Sequence, residues 1–171
     1  VISPQKISPG TKHPPYTTNP PSSGWYTESS LRDGIFANPL TDEQIVEALT
    51  KGIVVISYDC MYKTESPTEK VSPSPQPAQP ETPERPRQTP EEVAAILAQI
   101  RQQNKLCGEL TSGLRQIVEE KGVKNIILTP RGKLDARIAL AAWGRVDKFL
   151  WLDKERISRF IDAYRGKKPK V

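Results

Sequence analysis

One histidine, two cysteines and a scatter of carboxylates are the side chains of this 171-residue chain that could do chemistry. His13 stands beside Pro14-Pro15 in a proline-rich stretch, where no rigid scaffold is expected to hold a general base or metal ligand. Cys60 and Cys107 form no CxxC pair. They read as small core residues, with no folded histidine to activate them. Neither a disulfide framework nor a zinc ribbon is expected from two such distant cysteines. Asp135, Asp147 and Asp153 are interleaved with Lys and Arg, the pattern of solvated ion pairs. No phosphate-cradling glycine motif occurs. The reading is therefore non-enzymatic, with no catalytic residue, metal or cofactor.

Charge is the more informative chemistry. The chain has 25 basic and 20 acidic side chains, but residues 121–171 alone hold 14 and 5. Arg131, Lys133, Arg137, Arg145, Lys148, Arg156, Arg159, Arg165, Lys167 and Lys168 are the candidates for phosphate contact. Arg156 and Arg159 share a helical face three residues apart. A helix-turn-helix over Leu134–Tyr164 would present them, although Phe149-Leu150-Trp151-Leu152 is apolar for its turn.

The elements that must position these residues follow from proline and periodicity. Seven of the 17 prolines lie in residues 1–39, eight in 67–90, and two beyond. Residues 1–39 read as an extended Pro-rich arm. Such an arm is either a disordered tail or a strap along a partner, anchored through Tyr16, Trp25 and Tyr26. Residues 40–63 read as a helix–strand unit: Thr41 and Gln44 make a capping box, Gly52 stops the helix, and Ile53–Tyr58 is a buried strand. Residues 64–89 read as a Pro-rich linker that cannot bury a core.

Residues 90–166 read as a basic, mainly helical domain with one or two short strands, and 167–171 as a basic tail. Thr89-Pro90-Glu91-Glu92 starts a helix. Val93, Ile96, Leu97 and Ile100 continue it, then Leu106, Leu110, Leu114, Ile117 and Val118; Gly108 and Gly113 interrupt, which reads as one bent helix or a helical hairpin. Val123–Leu128 reads as a strand and Leu134–Val146, Ala-rich, as a helix. Asp153 caps a last amphipathic helix through Tyr164. Trp143 and Trp151 are core or interface anchors.

The fold expected is thus a small α+β chain. No apolar run approaches a membrane span, and the first residues carry no secretory signal. Together with the cysteine pattern this points to intracellular synthesis and a cytoplasmic complex or virion. Low apolar content, absent catalytic groups and extended segments suggest a structural subunit clamping its neighbours in a large assembly, most readily a viral or phage particle (capsid cement, neck or tail component). The alternative is a nucleic-acid-binding accessory protein using residues 121–171.

Overall fold

The computed structural model describes residues 2–62 and 89–169; the expected linker 64–89, but for Thr89, lies outside them. Its elements are β1 (Gln5–Lys6), β2 (Trp25–Tyr26), β3 (Gly34–Ile35), α1 (Asp42–Thr50), β4 (Val54–Tyr58), α2 (Pro90–Lys121), β5 (Ile126–Pro130), β6 (Ile138–Ala142), β7 (Arg145–Phe149) and α3 (Lys154–Tyr164).

A five-stranded mixed sheet in the order β3-β5-β4-β6-β7 organises the fold, with β1 and β2 forming a separate parallel pair. β3, β5 and β4 run parallel, and β6 and β7 are antiparallel additions. The strand of the expected helix–strand unit, β4, lies at the centre of this sheet, so residues 54–58 and 126–149 share one core.

Both sheet faces are covered, which explains the unbroken apolar runs of the central strands. Val54 and Ile56, with Ile126, Leu128, Ile138 and Leu140, face Leu110, Leu114, Ile117 and Val118 of α2 and Ile157 and Ile161 of α3. Val55, Ile127 and Ala141 point the other way, onto Ile45, Ala48 and Leu49 of α1. Leu31, Phe36, Leu40 and Trp143 pack against that second cluster.

Local chemistry sets the helix ends. Thr41 and Gln44 form the capping box expected of α1, and Thr89 and Glu92 form the equivalent one on α2. Asp153 accepts from the Arg156 amide to cap α3. Gly108 and Gly113 do not interrupt α2, which runs 32 residues unbroken.

Three expectations are corrected. The C-terminal part is not mainly helical with one or two strands: it supplies three of the five sheet strands. Leu134–Val146 is not a helix. Ile138–Ala142 is the buried strand β6, and Trp143-Gly144 is a two-residue hairpin loop into β7, with Gly144 in the left-handed region at φ 69°. A helix-turn-helix over Leu134–Tyr164 is excluded with it. The cysteines are also not free: Cys60 and Cys107 are disulfide-bonded, with Cα atoms 5.1 Å apart.

The proline-rich arm folds onto its own domain. Pro20, Pro21, Ser22, Ser23 and Gly24 are buried. The Ser22 carbonyl accepts from the Gly144 amide at 2.7 Å, and the Asn19 side chain donates to the Lys133 carbonyl at 2.9 Å. These bonds tie the arm to the β6–β7 hairpin and to the loop after β5.

Candidate functional sites: a cleft beneath the arm and a projecting helix

The arm closes over one end of the sheet and leaves a cleft of about 510 Å³. It lies where β5 ends and α1 begins, lined by His13 and Tyr16 of the arm, Asp42 and Glu43 of α1, and Arg131 and Lys133 after β5. Crevices beyond the carboxyl ends of parallel strands are the usual ligand positions of open α/β sheets.

His13 has the scaffold that its sequence neighbours did not suggest. Its ring stacks on Trp25 with centroids 5.2 Å apart, and Tyr16 meets it edge-on at 5.0 Å. Nδ1 lies 2.8 Å from the Pro14 carbonyl, to which it donates. Nε2 lies 3.3 Å from a Glu43 carboxylate oxygen. The Pro14 carbonyl raises the His13 pKa above its ordinary value, and Glu43 and Asp42 add to that. Burial works against the Glu43 carboxylate. Hydrogen bonds from its own amide and the Thr41 hydroxyl, with His13, nevertheless hold its pKa below the usual range. Burial pushes the Tyr16 phenol well up, and its hydroxyl donates to the Trp25 carbonyl.

The opposite wall is also paired. Arg131 donates from Nε to Asn19 at 2.8 Å and from its terminal nitrogen to Asp42 at 2.6 Å. Chemically, the cleft is a set of mutually satisfied ion pairs that latch the arm across α1 and the β5 loop. Lys133, at its rim, makes no ion pair with the described residues.

The second site is the first half of α2. At about 1.5 Å per residue, 32 residues reach roughly 48 Å, whereas five-residue strands span about 17 Å. The helix therefore overhangs the sheet. Val93, Ile96, Leu97, Ile100 and Leu106 are 39–48% exposed, while Leu110, Leu114, Ile117 and Val118 are buried. The two sets lie on one face: Val93, Ile100, Cys107 and Leu114 are seven apart, as are Ile96, Gln103, Leu110 and Ile117. The core-facing stripe thus continues past the core. Among the described residues the helix meets the body first at Gln103, whose amide nitrogen lies 3.5 Å from the Met61 sulfur, then at the Cys60–Cys107 disulfide.

Of the anchors expected from sequence, Tyr16 and Trp25 are spent within the arm and Tyr26 is half-buried in β2 beside β1. Trp143 packs on the α1 face of the core. Trp151 alone faces outward, at 71% exposure, next to Leu152, whose side chain sits against Gly113 of α2.

The basic candidates are dispersed and partly neutralised. Lys148 pairs with Asp135 and Arg156 with Asp147, the latter guanidinium lying 4.8 Å over the Phe149 ring. Arg165 donates to the Lys121 carbonyl, and Lys167 lies over Tyr164. Arg137, Arg145, Arg159 and Lys168 make no ion pair with the described residues, and they sit on different elements. The sequence pattern missed the His13–Glu43 latch altogether. The Val93–Ile100 stripe shows in the sequence as helical spacing, and the helix length against the strand lengths is the signal that part of it overhangs the sheet.

Among the described residues no group of His, Cys, Asp or Glu is arranged to hold a metal ion, and no helix is long and apolar enough to cross a membrane. The family described as "Protein of unknown function (DUF3105)" matches residues 10–105 and 85–171. No curated protein and no solved structure matches the chain.

Proposed function

We propose that this chain, which belongs to the DUF3105 family, is a non-enzymatic assembly subunit that docks through the projecting half of α2. The observation that carries the reading is the stripe of Val93, Ile96, Leu97 and Ile100, exposed among the described residues and continuous with the face that packs the core. A helical segment of this length is marginal in water on its own and gains most of its stability by packing an apolar face. Exposed apolar stripes of this kind favour association. The disulfide fixes the segment's direction at its base, and the arm, latched by His13, Asn19 and Arg131, braces the opposite side of the sheet.

The virion expectation drew on an arm reaching to neighbours. The arm here packs on its own sheet, so the reading is the broader one of an assembly subunit. The nucleic-acid alternative finds less support, since three of its ten basic candidates, Arg131, Lys148 and Arg156, are already paired with carboxylates.

Capture of the tagged chain from its native source, with and without nuclease, tests the proposal. Neighbouring subunits should survive nuclease and be lost with Ile96→Asp. Neighbours lost on nuclease treatment, or retained by Ile96→Asp, would contradict it.

A further inference from the structure

We infer that the occupant of the projecting stripe is a second copy of this chain, its helix lying antiparallel about a two-fold axis passing between Ile96 and Leu97. The inference rests on the docking reading above and adds the partner's identity and orientation.

The stripe is its own mirror in sequence order. Reversal about the midpoint between Ile96 and Leu97 exchanges Ile96 with Leu97 and Val93 with Ile100. An isologous contact requires this self-complementarity, in which each residue meets its counterpart's position twice. Antiparallel helices also set opposite macrodipole ends side by side.

The free length of the helix matches the overlap. The reversal places Pro90, the first residue of α2, level with Gln103, where the other helix first touches its own body through Met61. Each helix therefore fills the uncovered stripe of the other and stops where that body begins. The antiparallel orientation sends the two bodies to opposite ends of the helix pair. A parallel arrangement sets both at the same end, where each stands on the stripe side of its own helix. The Cys60–Cys107 bond holds each helix in the orientation that the pairing needs.

Sedimentation equilibrium of the oxidised full chain tests the association, and disulfide trapping tests its sense. We expect a monomer–dimer equilibrium. Leu97→Asp, which places a carboxylate in the seam, should weaken it by at least about tenfold without changing the melting temperature measured at concentrations where the chain is monomeric, since Leu97 is 48% exposed. Mixing a Val93→Cys chain with an Ile100→Cys chain should give the mixed disulfide in preference to either symmetric one. A wild-type chain that stays monomeric at high concentration overturns the inference, as does a symmetric Val93→Cys dimer formed in preference to the mixed one. If the wild type is monomeric yet Ile96→Asp still strips neighbours from the native-source capture, the docking reading stands and only the second copy is ruled out.

Discussion

Cys107 of α2 is bonded to Cys60, just past the end of β4, at the point where the long helix leaves the body of the protein. N-terminal to this bond the helix is exposed; C-terminal to it, Leu110, Leu114, Ile117 and Val118 are buried. The bond closes a loop of 47 residues that contains the whole proline-rich segment. It also removes cysteine usage as an argument for a reducing compartment, because such bonds persist where conditions are oxidising.

Loop-closure entropy for 47 residues assigns this bond about 4 kcal/mol of stability. The double variant Cys60→Ser/Cys107→Ser should lose up to that amount in urea denaturation. Reduction of the wild type should have the same effect. Equal midpoints for reduced and oxidised protein would remove the staple from the account.

The backbones of Gly52, after α1, and Gly166, after α3, meet directly: the Gly166 amide donates to the Gly52 carbonyl at 2.8 Å. Gly52 has φ 77°, and a Cβ there would lie 2.8 Å from the Gly166 carbonyl carbon. Gly52→Ala combines left-handed strain with a clash against main chain that has no rotamer to yield. It should cost about 2–4 kcal/mol by denaturant titration. A change under about 0.5 kcal/mol, ordinary for a surface site, would show that the contact is not kept.

The His13–Glu43 latch makes arm docking pH-dependent. His13 has its pKa raised above 6.5, so its contribution is fully present below that value and is lost as pH rises through the folded-state pKa. Glu43 has its pKa lowered from 4.5, so its contribution is present above that value and is lost as pH falls through the folded-state pKa. The latch is strongest between about pH 4.5 and 6.5. Trp25 reports it, because His13 stacks on that ring. In a Trp143→Phe/Trp151→Phe background, Trp25 emission should change with a midpoint above pH 6.5, and His13→Gln should abolish the change. A flat emission profile from pH 6 to 9 would mean that the imidazole is not where the latch puts it.

The two later tryptophans separate core from surface. Trp143 packs against the cluster built on Ile45, Leu49 and Val55, whereas Trp151 is 71% exposed. Trp143→Ala should destabilise by about 2–3 kcal/mol, and Trp151→Ala should leave the melting temperature within about 2 °C of wild type. Reversed effects would overturn their placement.

The capped elements were legible in the sequence because capping is local. Thr41 with Gln44, Thr89 with Glu92, and Asp153 each announce a helix within four residues. The β6–β7 hairpin was not legible, because its Ala-rich stretch carries high helix propensity. Ala139, Ala141 and Ala142 form a strand for tertiary reasons: β6 pairs with β4 on one side and β7 on the other. Its small side chains leave room for α1 and the arm on that face. The Trp143-Gly144 loop was the overlooked signal. Nor could the latch be read from sequence, since His13 and Glu43 are 30 residues apart and meet only because buried Pro20–Gly24 folds the arm back. The α2 stripe was legible as a pattern; only the sheet's width decides which part of it stays uncovered.

Hydrogen exchange over residues 90–106 tests the docking claim most directly. A helix standing free in water opens readily, whereas one with its apolar face packed exchanges slowly. Amides in this segment should exchange at least about tenfold more slowly in the assembly isolated from the native source than in the dilute purified chain, with residues 110–118 slow in both. Equal rates for residues 90–106 in the two states would contradict the claim that this helix is where the protein docks.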